Sequence, residues 1–264
     1  MRMLGMLSKG ISPVIAATLL ILMSITIGVV LYVFSLGFAG SVNEVPDTGI
    51  LVIEEVIPRK CREGIVGFDV ILSNPSGIPV KVGNLTALII GNNKVIRTIL
   101  VMTEYPLTIP AGGAGKVIMY PLDSVPPGNY YVKISGLGGG ESIKPIKVTS
   151  KVWASRVILL TLNNNASNPA TTEDDKAWYS AYIELNQATG LYLIWFNFTP
   201  KPGVTLTYRR AELLNANNNY PIWVGNNPYE SVTPLSYPEQ DIQYWTPVQG
   251  SELPVKVVFT SIAG

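Results

Sequence analysis

The sequence predicts a mainly β chain with one long N-terminal α-helix. Three observations carry that prediction. No charged residue stands between Lys9 and Glu44, and the run between them is overwhelmingly apolar. Beyond residue 50 no helical period is sustained, and short runs rich in Val, Ile and Tyr alternate with turn residues. Gly (24) and Pro (20) are abundant without a fixed period, which fits many turns rather than a collagen repeat.

The first element is the apolar run. Ser12 followed by Pro13 reads as an N-cap and a first-turn proline. A helix from Ser12 to about Phe38 is roughly 40 Å long at 1.5 Å per residue, enough to span a hydrocarbon core of about 30 Å with some tilt. Arg2 and Lys9 precede the run and Glu44 follows it, which places the N-terminus in the cytoplasm and the rest outside. A secretory signal peptide has an apolar region of only about 7–15 residues, so this run is too long for one. A membrane anchor is the plain reading, but it leaves unexplained a short basic leader ending directly before the run.

That leader carries a resemblance. Lys9-Gly10-Ile11-Ser12-Pro13-Val14-Ile15-Ala16 resembles the class III signal sequence of archaeal type IV pilins. The resemblance covers about the first 40 residues. It implies cleavage between Gly10 and Ile11 by a prepilin peptidase that reads Lys9, Gly10, Ile11, Ser12 and Pro13. It also implies retention of the apolar segment on the mature chain. Cleavage removes Arg2 and Lys9, leaving 17 basic residues against 18 acidic, a net charge of −1. Bacterial pilins carry Glu at the fifth mature position, where this chain has Ile15, and archaellins usually begin with a different string. Both departures favour an archaeal pilus. In such a fibre the helix packs against copies of itself, and Ala16, Ala17, Ser24 and Gly28 are the small residues that allow close approach. Head-to-tail addition then gives an open helical homopolymer.

The domain plan follows: a signal peptide over 1–10, an apolar helix over 11–40, a linker over 41–49 broken by Pro46 and Gly49, and β structure from residue 50. In the block 50–149 the expected strands are 51–57, 65–73, 78–82, 85–90, 94–101, 116–122, 130–135 and 143–148. So many short strands in about 100 residues predict an immunoglobulin-like β-sandwich, although the Cys-Trp-Cys signature of true immunoglobulin domains is absent. In the block 150–264 the expected strands are 157–162, 179–185, 192–198, 205–213 and 255–259. This block reads as a second β domain, with a Pro-rich stretch over 220–254 and all five tryptophans. One continuous β domain with long insertions is the alternative.

Composition narrows the chemistry. The chain has no histidine and one cysteine, Cys61. A Ser-His-Asp triad, a His-ligated metal site and an intrachain disulfide are therefore unavailable within one chain. Lys and Arg number 19 and Asp and Glu 18, a balance that gives no electrostatic reason to bind nucleic acid. No phosphate loop or dinucleotide fingerprint is present, and no catalytic residue, cofactor or metal is expected.

Three sequons stand out, at Asn84, Asn165 and Asn197, with Asn165 in a polar loop. Pro75 spoils a fourth at Asn74. Glu173-Asp174-Asp175 reads as a solvated acidic turn rather than a cation site, because it lacks loop-ligand spacing. Glu54 and Glu55 point to opposite faces of a strand. Tyr220, Trp223, Tyr229, Tyr237, Tyr244 and Trp245 read either as packing within a long loop or as a sugar-stacking surface. Cys61, beside Arg59, Lys60 and Arg62, reads as an incidental thiol at a turn.

The functional expectation is a non-enzymatic subunit of an extracellular adhesion pilus. It begins as a membrane-held precursor and ends in a surface filament. The resemblance implies itself, the prepilin peptidase, an assembly ATPase and a membrane platform protein as partners. The alternative is a membrane-anchored surface protein that binds a solute or sugar. A carboxylate-dependent glycosidase is a distant third, since it needs two carboxylates converging in a cleft.

Overall fold

The structure, a computed structural model, describes Ser24 and residues 50–82, 85–103, 107–136 and 141–264. The chain divides into two compact units, Met1–Asp47 and Thr48–Gly264. In the first unit Ser24 alone is described; its backbone is helical and its side chain exposed. The rest of the expected span over 11–40, and the linker over 41–49, lie outside the described residues. Among the described residues no helix is long and apolar enough to cross a membrane. The expected fold class is corrected accordingly. What is described is nearly all β, and the long transmembrane helix of a pilin shaft is not among it. The apolar pattern that predicted the helix ends before residue 50, and the pairing residues after it are β-branched and aromatic, which suit a pleated sheet.

Nine strands build the first half of the β unit. They are β1 (Val52–Cys61), β2 (Gly64–Ser73), β3 (Val80–Lys81), β4 (Thr86–Gly91), β5 (Lys94–Met102), β6 (Thr108–Ile109), β7 (Ala114–Pro121), β8 (Gly128–Ser135) and β9 (Glu141–Val148). Seven of them form one antiparallel sheet in the order β1-β2-β7-β5-β4-β8-β9, and β3 pairs with β6 apart from it. The sheet curls until its two ends approach, where the Ile53 amide donates to Ser142 Oγ at 2.8 Å. This near-barrel replaces the expected immunoglobulin-like sandwich. Two register shifts in the β1–β2 pair, with Glu54 extra on β1 and Val66 extra on β2, supply local bend and twist, which turn a sheet toward closure rather than toward two facing layers. The β4–β5 hairpin turns at Asn92 and Asn93, both with positive φ (50° and 59°), the conformation of a two-residue I′ turn. Phe68, Val70, Leu72, Ile89, Met119 and Val132 fill the interior.

The second half contains β10 (Ser155–Leu160), β11 (Ala170–Glu173), β12 (Ala177–Asn186), β13 (Leu191–Pro200), β14 (Thr205–Asn215), β15 (Tyr229–Ser231), β16 (Leu235–Ser236), β17 (Asp241–Val248) and β18 (Val255–Ala263). They form two sheets, β10-β18-β14-β15 with β16 also on β14, and β11-β12-β13-β17. Between these sheets Tyr179, Ile194, Phe196, Phe198, Trp245 and Phe259 make a second core. Phe196 and Trp245 stack with centroids 4.1 Å apart.

The β10-β18-β14 sheet is also covered on its other face. Leu214 and Val258 pack on Ile99, Val101, Ile118 and Tyr120 of β5 and β7, and Tyr208 and Ile262 pack on Val66 of β2. It is therefore the middle of three layers. Its strands β14 and β18 are buried almost without a break, unlike the usual antiparallel sheet with one wet face. Polar residues there need internal partners. Arg210, 3% exposed, donates to Glu212 at 2.9 Å and to the Tyr120 hydroxyl at 3.1 Å. On the opposite face Arg209 donates to Asp241 at 2.6 Å, to the Thr233 carbonyl at 2.7 Å and to Ser231 at 2.9 Å.

Removing Arg210 alone strands a buried Glu212 and leaves Tyr120 without its donor. We expect Arg210→Ala to cost about 3–5 kcal/mol in urea denaturation. Replacing Arg210 with Met and Glu212 with Leu together is expected to cost much less, since no unpaired charge remains. Equal losses in the two variants would show that the pair does not act as a charge pair.

Candidate functional site

The outer sheet, β11-β12-β13-β17, keeps one face on the core and presents the other outward. Strand alternation sorts its residues cleanly. On β12, Ala177, Tyr179, Ala181 and Ile183 point inward; Trp178, Ser180, Tyr182 and Glu184 point outward. On β13, Ile194, Phe196 and Phe198 are inward and Trp195, Asn197 and Thr199 outward.

The register brings the outward residues into rows across the strands. Tyr182 faces Trp195, and Trp195 faces Tyr244 of β17. The Tyr182 and Trp195 rings lie 6.0 Å apart and nearly parallel (12°); Trp195 and Tyr244 lie 4.7 Å apart at 42°. The next row is low and polar: Thr171, Ser180 and Asn197, ending at Ile242. The third row is Glu173, Trp178 and Thr199, with Lys201 5.5 Å over the Trp178 ring and paired to Glu173 at 2.8 Å. Trp178 and Tyr182 are four residues apart on one strand, about 13 Å along it.

An aromatic row on one side and Trp178 on the other thus flank a floor of hydroxyl and amide groups. A groove of about 680 Å³ lies against Thr171, Glu173, Trp178, Ser180 and Thr199. Glu184 accepts the Trp195 indole N–H at 2.7 Å and fixes that side chain. Asn197 donates to Thr199 and Gln240, each at 3.2 Å, while its own Oδ1 has no partner. The inner face is already filled by aromatics, so these outward rings are not needed to complete the core. Trp178 and Tyr244 are 41% and 51% exposed.

Sequence reasoning names only Tyr244 of this cluster. Trp178, Tyr182 and Trp195 were legible through the two-residue period of 177–186 and 191–200, which puts them on one face once those runs pair. The other expected aromatics disperse. Trp245 and Tyr229 belong to the inner core, and Tyr237 is exposed. Trp223 is exposed and donates to the Tyr220 hydroxyl at 2.7 Å, away from the outer-sheet rows.

The remaining candidates fall as follows. Lys9, Gly10, Ile11, Ser12, Pro13, Ala16, Ala17, Gly28 and Asn84 lie outside the described residues. Asn165 is exposed in the β10–β11 loop, and its Oδ1 accepts the amides of Ser167 and Asn168 at 3.0 and 3.1 Å. Neither bond uses its Nδ2, the atom a glycan takes. Asn197 has its Nδ2 engaged twice in mid-sheet. Asn74 is fully buried and holds its turn through Ile78 and Ile109 carbonyls. Glu54 and Glu55 flank the bulge in β1, which leaves both exposed. Cys61 is a partly buried free thiol packed near Tyr208 and Ile262.

Asp174 is not a solvated turn residue. Its Oδ1 accepts the amides of Lys176 and Ala177 at 2.9 and 3.0 Å; its Oδ2 accepts Lys176 Nζ at 2.6 Å and the Tyr179 hydroxyl at 3.0 Å. Four donors use up the lone pairs that a cation needs. Among the described residues no cluster of His, Cys, Asp or Glu has the makings of a metal site. Burial pushes the Asp174 carboxyl up, but the hydrogen bonds and charge of Lys176 and the two amides outweigh it and hold it below its ordinary value. Asp241 is lowered in the same sense, with burial outweighed by Tyr229, Gln243 and Arg209.

No family model matches the chain, and no curated protein matches it. Among solved structures it is similar to the secreted serine protease VesC from Vibrio cholerae, at 9% identity and a TM-score of 0.24. The match covers 80% of this chain and 50% of that one, so the chain spans half its length. A likeness that faint carries no argument about fold or activity.

A carboxylate whose folded pKa is depressed stabilises the fold above its unfolded pKa and loses that contribution as pH falls through the folded value. Stability is therefore expected to hold down to about pH 4 and then decline. Thermal melts between neutral and acidic pH check this. Asp174→Asn should melt lower at neutral pH and show a shallower acid decline, because the titrating partner of Lys176 is gone.

Proposed function

We propose that the chain is a structural subunit of an extracellular archaeal adhesion filament. It is cut after Gly10 and built into the fibre through its uncharged N-terminal segment. The observation that supports this reading is the string Lys9-Gly10-Ile11-Ser12-Pro13-Val14-Ile15-Ala16, which resembles the archaeal type IV pilin leader and is followed by no charge until Glu44. In this reading the protein works by assembly, not catalysis. Its partners are copies of itself, the peptidase that removes the leader, an assembly ATPase and a membrane platform protein. The precursor waits at the membrane and the product is a surface filament.

The β unit fits the exposed part of such a subunit. Its layered cores bury most large apolar side chains, and its outer sheet offers a face for attachment. Asn165 is the described sequon best placed for a glycan, and a sugar there would not disturb a strand. A second reading, an anchored surface protein that binds a sugar, draws its support from the aromatic rows on that same sheet.

The test is the N-terminus and location of the protein in filaments sheared from source cells. Mass spectrometry is expected to find a mature chain beginning at Ile11, within regular fibres seen by electron microscopy. Any glycan mass on the described sequons is expected at Asn165 and not at Asn197. A chain beginning at Met1, present in membranes and absent from fibres, would overturn the filament reading.

A further inference from the structure

We propose that the outer face of the β11-β12-β13-β17 sheet is a binding site for a neutral oligosaccharide, seated in the trough over Thr171, Ser180 and Asn197. The inference concerns the β unit and goes beyond filament assembly. It stands or falls on its own evidence.

Four features of the face select this class of ligand. Its walls are aromatic: Trp178 on one side, and Tyr182, Trp195 and Tyr244 on the other. A sugar ring offers patches of C–H bonds, which pack well on indole and phenol rings. Its floor is polar and short: the Thr171 and Ser180 hydroxyls and the Asn197 amide, ending at Ile242 on β17; the unpaired Asn197 Oδ1 is itself buried. Hydroxyl-bearing ligands need such groups for orientation, and a purely apolar peptide would leave them unsatisfied. Charges bonded to residues of these rows are Glu184, on the Trp195 indole, and the Glu173–Lys201 pair, whose lysine is already neutralised. That balance disfavours sulfated, phosphorylated or uronate chains by like-charge repulsion. Finally, the polar row runs across β11, β12 and β13 at about 4.8 Å between neighbouring strands and ends at Ile242 on β17, long enough for more than one sugar ring. A chain rather than a single sugar fits that shape.

Ser180 is the key to the geometry. It is the small residue on β12 between Trp178 and Tyr182, and a large side chain there would fill the trough without touching either core. Glu184 is a positioning residue: it holds the Trp195 indole.

The experiment uses the full chain in detergent, probed on an array of short neutral gluco-, manno- and galacto-oligosaccharides alongside uronate and sulfated chains. The best neutral probe is then titrated by tryptophan fluorescence and calorimetry. We expect a neutral oligosaccharide to bind. Trp178→Ala and Trp195→Ala should each weaken it about tenfold, the loss of one aromatic contact. Ser180→Trp should abolish binding, with all variants keeping the parent melting temperature within a few degrees. Trp223→Ala, exposed but elsewhere, should bind as the parent does.

Failure of every neutral probe, binding of acidic chains alone, or undiminished binding in Ser180→Trp would overturn the assignment. So would a loss of fibres rather than of sugar binding in Trp178→Ala, which would make the face a contact between copies. Sugar binding by a chain that never enters fibres would remove the filament reading and leave this one standing. Fibres without sugar binding would do the reverse.

Discussion

A sheet buried on both faces governs the β unit. Strands β10, β18 and β14 lie between the near-barrel and the outer sheet, so nearly every side chain on β14 and β18 is out of water. Apolar residues there gain from burial on either side, but each polar one must find a partner inside the protein. The solutions are local and opposed. Arg209 reaches toward the outer sheet and Asp241; Arg210 reaches toward the near-barrel and Tyr120. Ser155 and Thr260 share one hydrogen bond at 2.6 Å, and Tyr179 and Ser261 share another at 2.7 Å. Two neighbouring arginines on one strand thus tie the middle layer to both of its neighbours.

The same constraint limits which faces of the β unit stay in solvent. The middle layer has no free face. The interior of the near-barrel is filled by its own side chains. The outer sheet is left with one solvent-facing surface, and that surface carries aromatic rings although its inner face already holds Phe196, Phe198 and Trp245. Rings that add nothing to the core sit over a floor of small polar residues. The sheet beneath it, β10-β18-β14, is packed on both faces.

Much of the strand pattern was legible from residues alone, because Val, Ile and Tyr runs between Gly, Pro and Asn turns have few other ways to pack. Expected strands such as 65–73, 94–101, 192–198 and 205–213 lie within β2, β5, β13 and β14. The layer arrangement was not legible. Nothing local tells a strand whether its second face will be covered, and Arg209 and Arg210 inside the expected strand 205–213 give no sign of being buried. Strand β17 was hidden in a Pro-rich stretch, since Asp241-Ile242-Gln243-Tyr244-Trp245 has the polar and aromatic mix of a loop. Missing β17 meant missing that Tyr244 faces out while Trp245 faces in. The near-barrel was missed for a related reason: the bulges in β1 and β2 that bend the sheet leave no mark in composition. The aromatic rows were half legible, as alternation in 177–186 and 191–200, but only the pairing of those strands shows that the rings meet.

If the doubly buried sheet binds the three layers together, they should open as one. Native-state hydrogen exchange of backbone amides reads this directly. The amides of Leu72 and Val132 report on the near-barrel, Phe259 on the middle sheet and Phe196 on the outer sheet. The account predicts that the slowest of them exchange through one common opening, with free energies that agree and fall together in urea. Near-barrel and sandwich amides opening at separate free energies, with separate urea dependence, would contradict it and divide the β unit into two independent bodies.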